Sequence, residues 1–86
     1  MEANRRRHIF GDPRHNFASL VRRCGSEEAA GEAIEDAVLA AFESGELAAS
    51  EGGLYEQVFE VMGHSVTVTG RVVSGVARVS TAWIRR

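Results

Sequence analysis

From Leu54 to Ile84 apolar and polar residues alternate with a period of two, and glycine interrupts the alternation at Gly63 and Gly75. This pattern predicts an antiparallel meander of strands near 54–62, 65–73 and 76–84, one face apolar and the other polar. Val73-Ser74-Gly75-Val76 marks a two-residue hairpin, because Ser74-Gly75 supplies the positive φ angles that such a turn needs. The turn sets Val72 against Ala77, Gly70 against Val79, Val68 against Thr81 and Val66 against Trp83. A second turn at Gly63-His64 sets Val61 against Val66, Phe59 against Val68 and Tyr55 against Val72. The two registers, obtained separately, agree on which face is apolar.

The polar face then gathers Glu56, Thr67, Thr69, Arg71, Arg78 and Ser80, with Glu56 facing Arg71 and Arg71 facing Arg78. Like charges directly opposed across strands cost stability. The Arg71–Arg78 pair therefore reads either as a place for an anion or as part of a solvated face carrying a Glu56–Arg71 ion pair.

Upstream the period changes to that of a helix. Asp12-Pro13 is an N-cap acceptor followed by proline at the first helical position, and Gly25 is a stop, so a first helix is expected over 13–24. Phe17, Leu20, Val21 and Cys24 form its apolar stripe. Ser26 caps a second helix over 27–44, with Glu27 and Glu28 favourably placed at its positive end. Ala30, Ala33, Ile34, Ala37, Val38 and Ala41 form its stripe. Residues 1–7 read as a flexible basic tail or linker remnant, and residues 8–86 as one compact domain. The expected fold is α+β: two N-terminal helices packed on an antiparallel sheet of three or four strands. Phe17, Leu20, Ile34, Val38, Phe59, Val66, Val68 and Trp83 are the expected core.

Composition narrows the function. No apolar run approaches the roughly 20 residues that span a bilayer. The basic N-terminus is followed by no apolar h-region, so no signal peptide is expected, and export would depend on a larger carrier. One cysteine, Cys24, excludes an internal disulfide and a Cys-based zinc site, and reads as a small hydrophobe at a helix end. The net charge of −2 conceals a strong asymmetry. Residues 1–24 hold six Arg against two acids, residues 25–60 hold ten acids and no base, and residues 61–86 hold four Arg and no acid. Every basic residue is Arg, whose planar fork suits bidentate phosphate contacts.

Three histidines are present. His64 falls in a turn, whereas His8 and His15 flank the Gly-Asp-Pro break and can converge once the first helix docks. A third metal ligand at helical spacing is lacking, so no metal or other cofactor is expected. General acid–base chemistry fits better: one histidine protonates a leaving group, a second group removes a proton, and Arg71 and Arg78 hold the charge on a phosphate. Such a set suits cleavage of RNA through its own 2′-hydroxyl.

His8-Ile9-Phe10, then Arg14-His15-Asn16, two helices and a sheet ending Val79-Ser80-Thr81-Ala82-Trp83 resemble the C-terminal toxin domains of bacterial polymorphic toxins. These are the Rhs-type and contact-dependent growth-inhibition effectors, similar in architecture to barnase/EndoU/colicin/RelE-like ribonucleases. The resemblance covers nearly all of the chain after Arg7. In the ribonuclease-A-like toxins of this group a His-containing N-terminal segment works with a final-strand Thr-Ala-Tyr. Here Trp83 stands in place of the tyrosine and its hydroxyl is lost. The resemblance implies a secreted effector domain that cuts RNA in the target-cell cytoplasm and is neutralised by a cognate immunity protein. It also makes Thr81 catalytic, although the register above places Thr81 on the apolar face; a bulge near Ser80 or a site at the helix–sheet seam would reconcile the two.

The catalytic candidates are thus His8, His15, Glu56, Arg71 and Thr81, and the substrate-binding candidates Arg14, Thr69, Arg78, Ser80 and Trp83. The alternative is a non-catalytic interaction module, an immunity or adaptor protein, for which the acidic second helix speaks and the Arg-bearing sheet does not.

Overall fold

Two Xaa-Gly turns shape the C-terminal half in the computed structural model, which describes residues 1–85. At Met62-Gly63 the φ angles are 50° and 82°, and at Ser74-Gly75 they are 52° and 76°. Positive φ at both central residues gives the strands their natural right-handed twist. The turns link β1 (Leu54–Val61), β2 (His64–Val73) and β3 (Val76–Trp83) into an antiparallel sheet of order β1-β2-β3. The fold is α+β, with the helices preceding the strands.

The first turn lies one residue earlier than the sequence reading placed it. Glycine takes the second central position, as it does in Ser74-Gly75, so Met62 enters the turn and His64 opens β2. The pairing slides by two residues: Phe59 faces Val66, and Glu56 faces Thr69 instead of Arg71. A shift of two preserves the faces, so Tyr55, Phe59 and Val61 still point into the core with Val66 and Val68. The expected Glu56–Arg71 pair does not form.

The second hairpin runs as expected through Val72–Ala77, Arg71–Arg78 and Gly70–Val79, then breaks at a bulge that leaves Ser80 unpaired. Beyond it Thr69 faces Thr81, Val68 faces Ala82 and Thr67 faces Trp83. One extra residue exchanges the two faces of the strand. Ala82 is fully buried in the core, whereas Thr81 and Trp83 turn to the open face. Trp83 is therefore not a core residue, and Thr81 is not on the apolar side.

The bulge sits next to a tyrosine that lies across a glycine. The Tyr55 hydroxyl donates to the Arg78 carbonyl at 2.7 Å, reaching over β2 at Gly70. A Cβ on Gly70 would run into both the Arg78 carbonyl and the Tyr55 ring. Burial pushes the Tyr55 phenol up from 10.0 to about 12.

The N-terminal half supplies the covering layer. The segment expected as a tail is largely helical: α1 spans Ala3–Phe10, capped by Glu2 and ended at Gly11. Its apolar content is too small to show a stripe, but Ile9 is fully buried and the Arg5 guanidinium donates to the Val79 carbonyl. The expected helix over 13–24 is divided in two. Pro13–His15 forms a 3-10 turn, closed by Asn16 at φ 63°, and α2 covers Ala18–Cys24 before Gly25. α3 spans Glu27–Glu43 behind its Ser26 cap. Ile9, Phe17, Leu20, Ile34 and Val38 meet Tyr55, Phe59, Val66, Val68, Val79 and Ala82 in one core. No helix of the described residues is long and apolar enough to cross a membrane.

Ile34→Ala should cost about 2–5 kcal/mol in a urea titration. Gly70→Ala should be at least as damaging, because the atoms in its way are backbone and a packed ring. Tyr55→Phe leaves the Arg78 carbonyl without its donor and should cost about 1–3 kcal/mol. Because the phenol keeps its proton to higher pH in the folded state, its contribution is complete below pH 10.0 and is lost as pH rises towards about 12. The chain has one tyrosine, so Tyr55→Phe should remove this alkaline loss of stability from the pH–denaturation profile.

Candidate functional site

Two groups of chemistry-bearing residues adjoin β3, one at its outer edge and one on the open sheet face. The edge group begins with Asp12, whose carboxylate accepts from the Arg14 backbone N–H at 2.9 Å and so starts the 3-10 turn. The Arg14 fork folds back on the same carboxylate, Nε to Oδ1 at 3.0 Å and Nη2 to Oδ2 at 2.8 Å. This guanidinium holds the Asp12 carboxyl well below the usual carboxylate range, and Asp12 raises Arg14 in return. Arg14, a substrate-binding candidate, thus has its fork occupied within the chain.

The turn presents His15 to α1. Its Nδ1 lies 2.7 Å from the Ile9 carbonyl. A carbonyl can only accept, so Nδ1 carries a proton and the ring orientation is fixed. Nε2 stands 3.6 Å from Asp12 Oδ2. The His8 ring meets His15 edge to face, with centroids 6.4 Å apart. His8 is exposed and His15 is partly buried.

Backbone bonds fasten this group to the strand. The Ile84 N–H donates to the His15 carbonyl, and Asn16 Nδ2 donates to the Ile84 carbonyl, each at 2.8 Å. Arg5 bonds Val79 five residues earlier on the same side. α1 and the 3-10 turn therefore flank β3 in the direction of the strand. His8 follows Arg5 by three residues and shares its helix face.

On the open face the pairings define rows. Val73 faces Val76 at the hairpin end. Leu54, Arg71 and Arg78 form the next row, Glu56, Thr69 and Thr81 the third, and Val58, Thr67 and Trp83 the fourth. A depression of about 590 Å³ is lined by Glu56, Thr69 and Ser80 with Leu54, Tyr55, Gly70, Ala48 and Ser50. Thr67 points to this side, between Val58 and Trp83, yet is only 5% exposed.

The catalytic candidates thus fall into two sets, His8 with His15 at the seam and Glu56, Arg71 and Thr81 on the face. Of the substrate-binding candidates, Thr69, Arg78, Ser80 and Trp83 share the open face or its bulge. Among the described residues no hydrogen bond or ion pair joins either histidine to Glu56, Arg71, Arg78 or Thr81. His64 stays in its turn, with Nδ1 3.2 Å from the Met62 carbonyl. Among the described residues no three His, Cys, Asp or Glu side chains are grouped so as to hold a metal ion. Arg5 and Asn16 were not among the sequence candidates. Arg5 was hidden in a run of arginines, but Asn16 carried a usable sign, since asparagine tolerates the left-handed conformation that ends a short turn.

Comparison of the chain with protein-family models, with curated proteins and with solved structures finds no match.

Asn16→Ala removes the bond to Ile84 and places a Cβ residue without local compensation at φ 63°. It should lower unfolding free energy by about 1–3 kcal/mol. Asn16→Gly, which relieves the backbone but not the lost bond, should recover part of that loss in the same denaturant titration.

Proposed function

We propose that this domain is a metal-independent ribonuclease of the toxin type, which cleaves RNA by attack of a 2′-hydroxyl on the adjacent phosphate. The reading is carried by one observation: His8 and His15, from different elements, meet 6.4 Å apart beside β3, with the His15 ring oriented by the Ile9 carbonyl. In the reaction one imidazole takes the 2′-hydroxyl proton as O2′ bonds to phosphorus. The bond from phosphorus to the 5′-oxygen breaks, and the other ring, as imidazolium, returns a proton to that oxygen. The products are a cyclic phosphate and a free 5′-hydroxyl. Arg71 and Arg78, neither engaged in an ion pair among the described residues, attract and hold the phosphate backbone of the substrate. The bulge favours a role for Thr81, since it brings that hydroxyl to the open side in line with Glu56, the reserve base.

The resemblance of the His8 and His15 segments and of Thr81-Ala82-Trp83 to polymorphic toxins adds the biological setting: a domain delivered by a secreted effector, active in the target-cell cytoplasm and blocked by an immunity protein. The second reading is a non-catalytic interaction module. It is favoured by Leu54, Val58, Val73 and Val76, each 41–58% exposed on the open face.

Incubation of the purified domain with total RNA in EDTA separates the two. The ribonuclease reading expects cleavage, and His8→Ala or His15→Ala should slow it by a factor of about 10²–10⁴ with the fold intact. Arg71→Lys keeps the charge but loses the fork, and should also slow cleavage. Intact RNA, or histidine variants that cut at the parental rate, would leave the interaction module as the better account.

A further inference from the structure

The open face is chemically divided along its length. Its acids, Glu56 and Glu60, both belong to β1, whereas the β2–β3 half carries Arg71 and Arg78 and no acid. Arg5 reaches the β3 edge at Val79, and Arg85 follows the strand. Arg71 and Arg78 face each other directly, both exposed. Two opposed cations in neighbouring strands repel, and an anion between them removes that cost.

Two rows further on stands the only tryptophan of the chain. The bulge turns Trp83 out of the core and onto the open face opposite Thr67, where it stays partly exposed. An aromatic ring at such a position can serve as a platform for another flat ring. From Arg71 to Thr67 is four residues of strand, about 13 Å. Thr69 and Thr81, two hydroxyl side chains, occupy the row between.

We propose that the β2–β3 half of the open face is a track for single-stranded RNA, with an unpaired base stacked on Trp83 and a backbone phosphate held between Arg71 and Arg78. The track rests on the ribonuclease reading for its RNA and adds the requirement that the strand be unpaired. A duplex keeps its bases stacked inside and cannot place one on Trp83. Ile84, next after Trp83, donates its N–H to the His15 carbonyl, so the histidine-bearing segment joins β3 at the Trp83 end of the track and not at the arginine end. The Trp83 end, with the apolar Val58 across Thr67 from it, suits a base better than a phosphate, and the arginines suit the reverse.

The test is a fluorescence titration with a 2′-O-methyl oligouridylate, which binds but cannot be cut. Trp83 is the sole tryptophan, so its emission reports on the track directly. Saturable quenching is expected, weakening as salt is raised. The same oligomer annealed to its complement should quench little. With a dye-labelled probe, Arg71→Ala and Arg78→Ala should each weaken binding about tenfold, while Arg22→Ala on α2 should not. Trp83→Phe should bind nearly as the parent, and Trp83→Leu about tenfold more weakly. Equal binding of duplex, unchanged emission at saturation, or Arg71→Ala and Arg78→Ala behaving like Arg22→Ala would overturn the track. Quenching without cleavage of unmodified RNA would uphold the track and refute the ribonuclease; cleavage without quenching would do the opposite.

Discussion

The hydrogen bond from the Tyr55 hydroxyl to the Arg78 carbonyl ties the first strand of the sheet to the third across a residue that has no side chain. Everything on the open face depends on where that tie falls. It fixes Arg78 beside Arg71 and Val79 beside Gly70, the last regular pairs of the hairpin. The bulge follows directly at Ser80, and it decides which way Thr81, Ala82 and Trp83 point. The core gains from the same event, since Ala82 enters it in place of the much bulkier Trp83.

The helix layer is arranged around the same strand. α1 approaches β3 through Arg5, and the 3-10 turn docks on its end through His15, Asn16 and Ile84. Two histidines that are seven residues apart in sequence come together because Asp12, Pro13 and Asn16 fold the chain back sharply between them. The acids of β1 lie on the outer strand of the sheet, whereas Glu2 and the α3 acid Glu35 line a depression together with Arg5 and Arg78.

Much of this was legible in the residues. Ser74-Gly75 specified its turn, and the alternation of Tyr55, Phe59 and Val61 with Glu56, Val58 and Glu60 specified the core face even though the first turn was misplaced. An error of two residues leaves parity intact; an error of one does not. The bulge is that second kind, and no residue type at Ser80 announces it. Beside it Tyr55 meets Gly70 and Arg78, a contact among three strands that single-strand periodicity does not contain. α1 was missed for a related reason. Its one fully buried residue, Ile9, gives no repeat, and its stability comes from docking on β3. Of the site, the His8–His15 meeting and the Arg71–Arg78 opposition could be read beforehand, the placement of Thr81 only as one option through the bulge near Ser80 that the resemblance called for, and that of Trp83 not at all.

The break in β3 has a consequence for how these molecules behave when crowded together. A sheet of three strands has two margins, and each is a template on which a further strand can pair. Along β3 the template is interrupted by the unpaired Ser80, by a guanidinium on the Val79 carbonyl and by the clasp at Ile84. Along β1 only the start of the margin is taken, where the Leu54 carbonyl accepts from Ser50, while the Gln57 side chain holds the preceding loop at Glu46 and Ala48. The β3 margin therefore offers no uninterrupted row of free amides and carbonyls, and a further strand seeking to extend the sheet is turned away from the side on which the arginines and Trp83 stand.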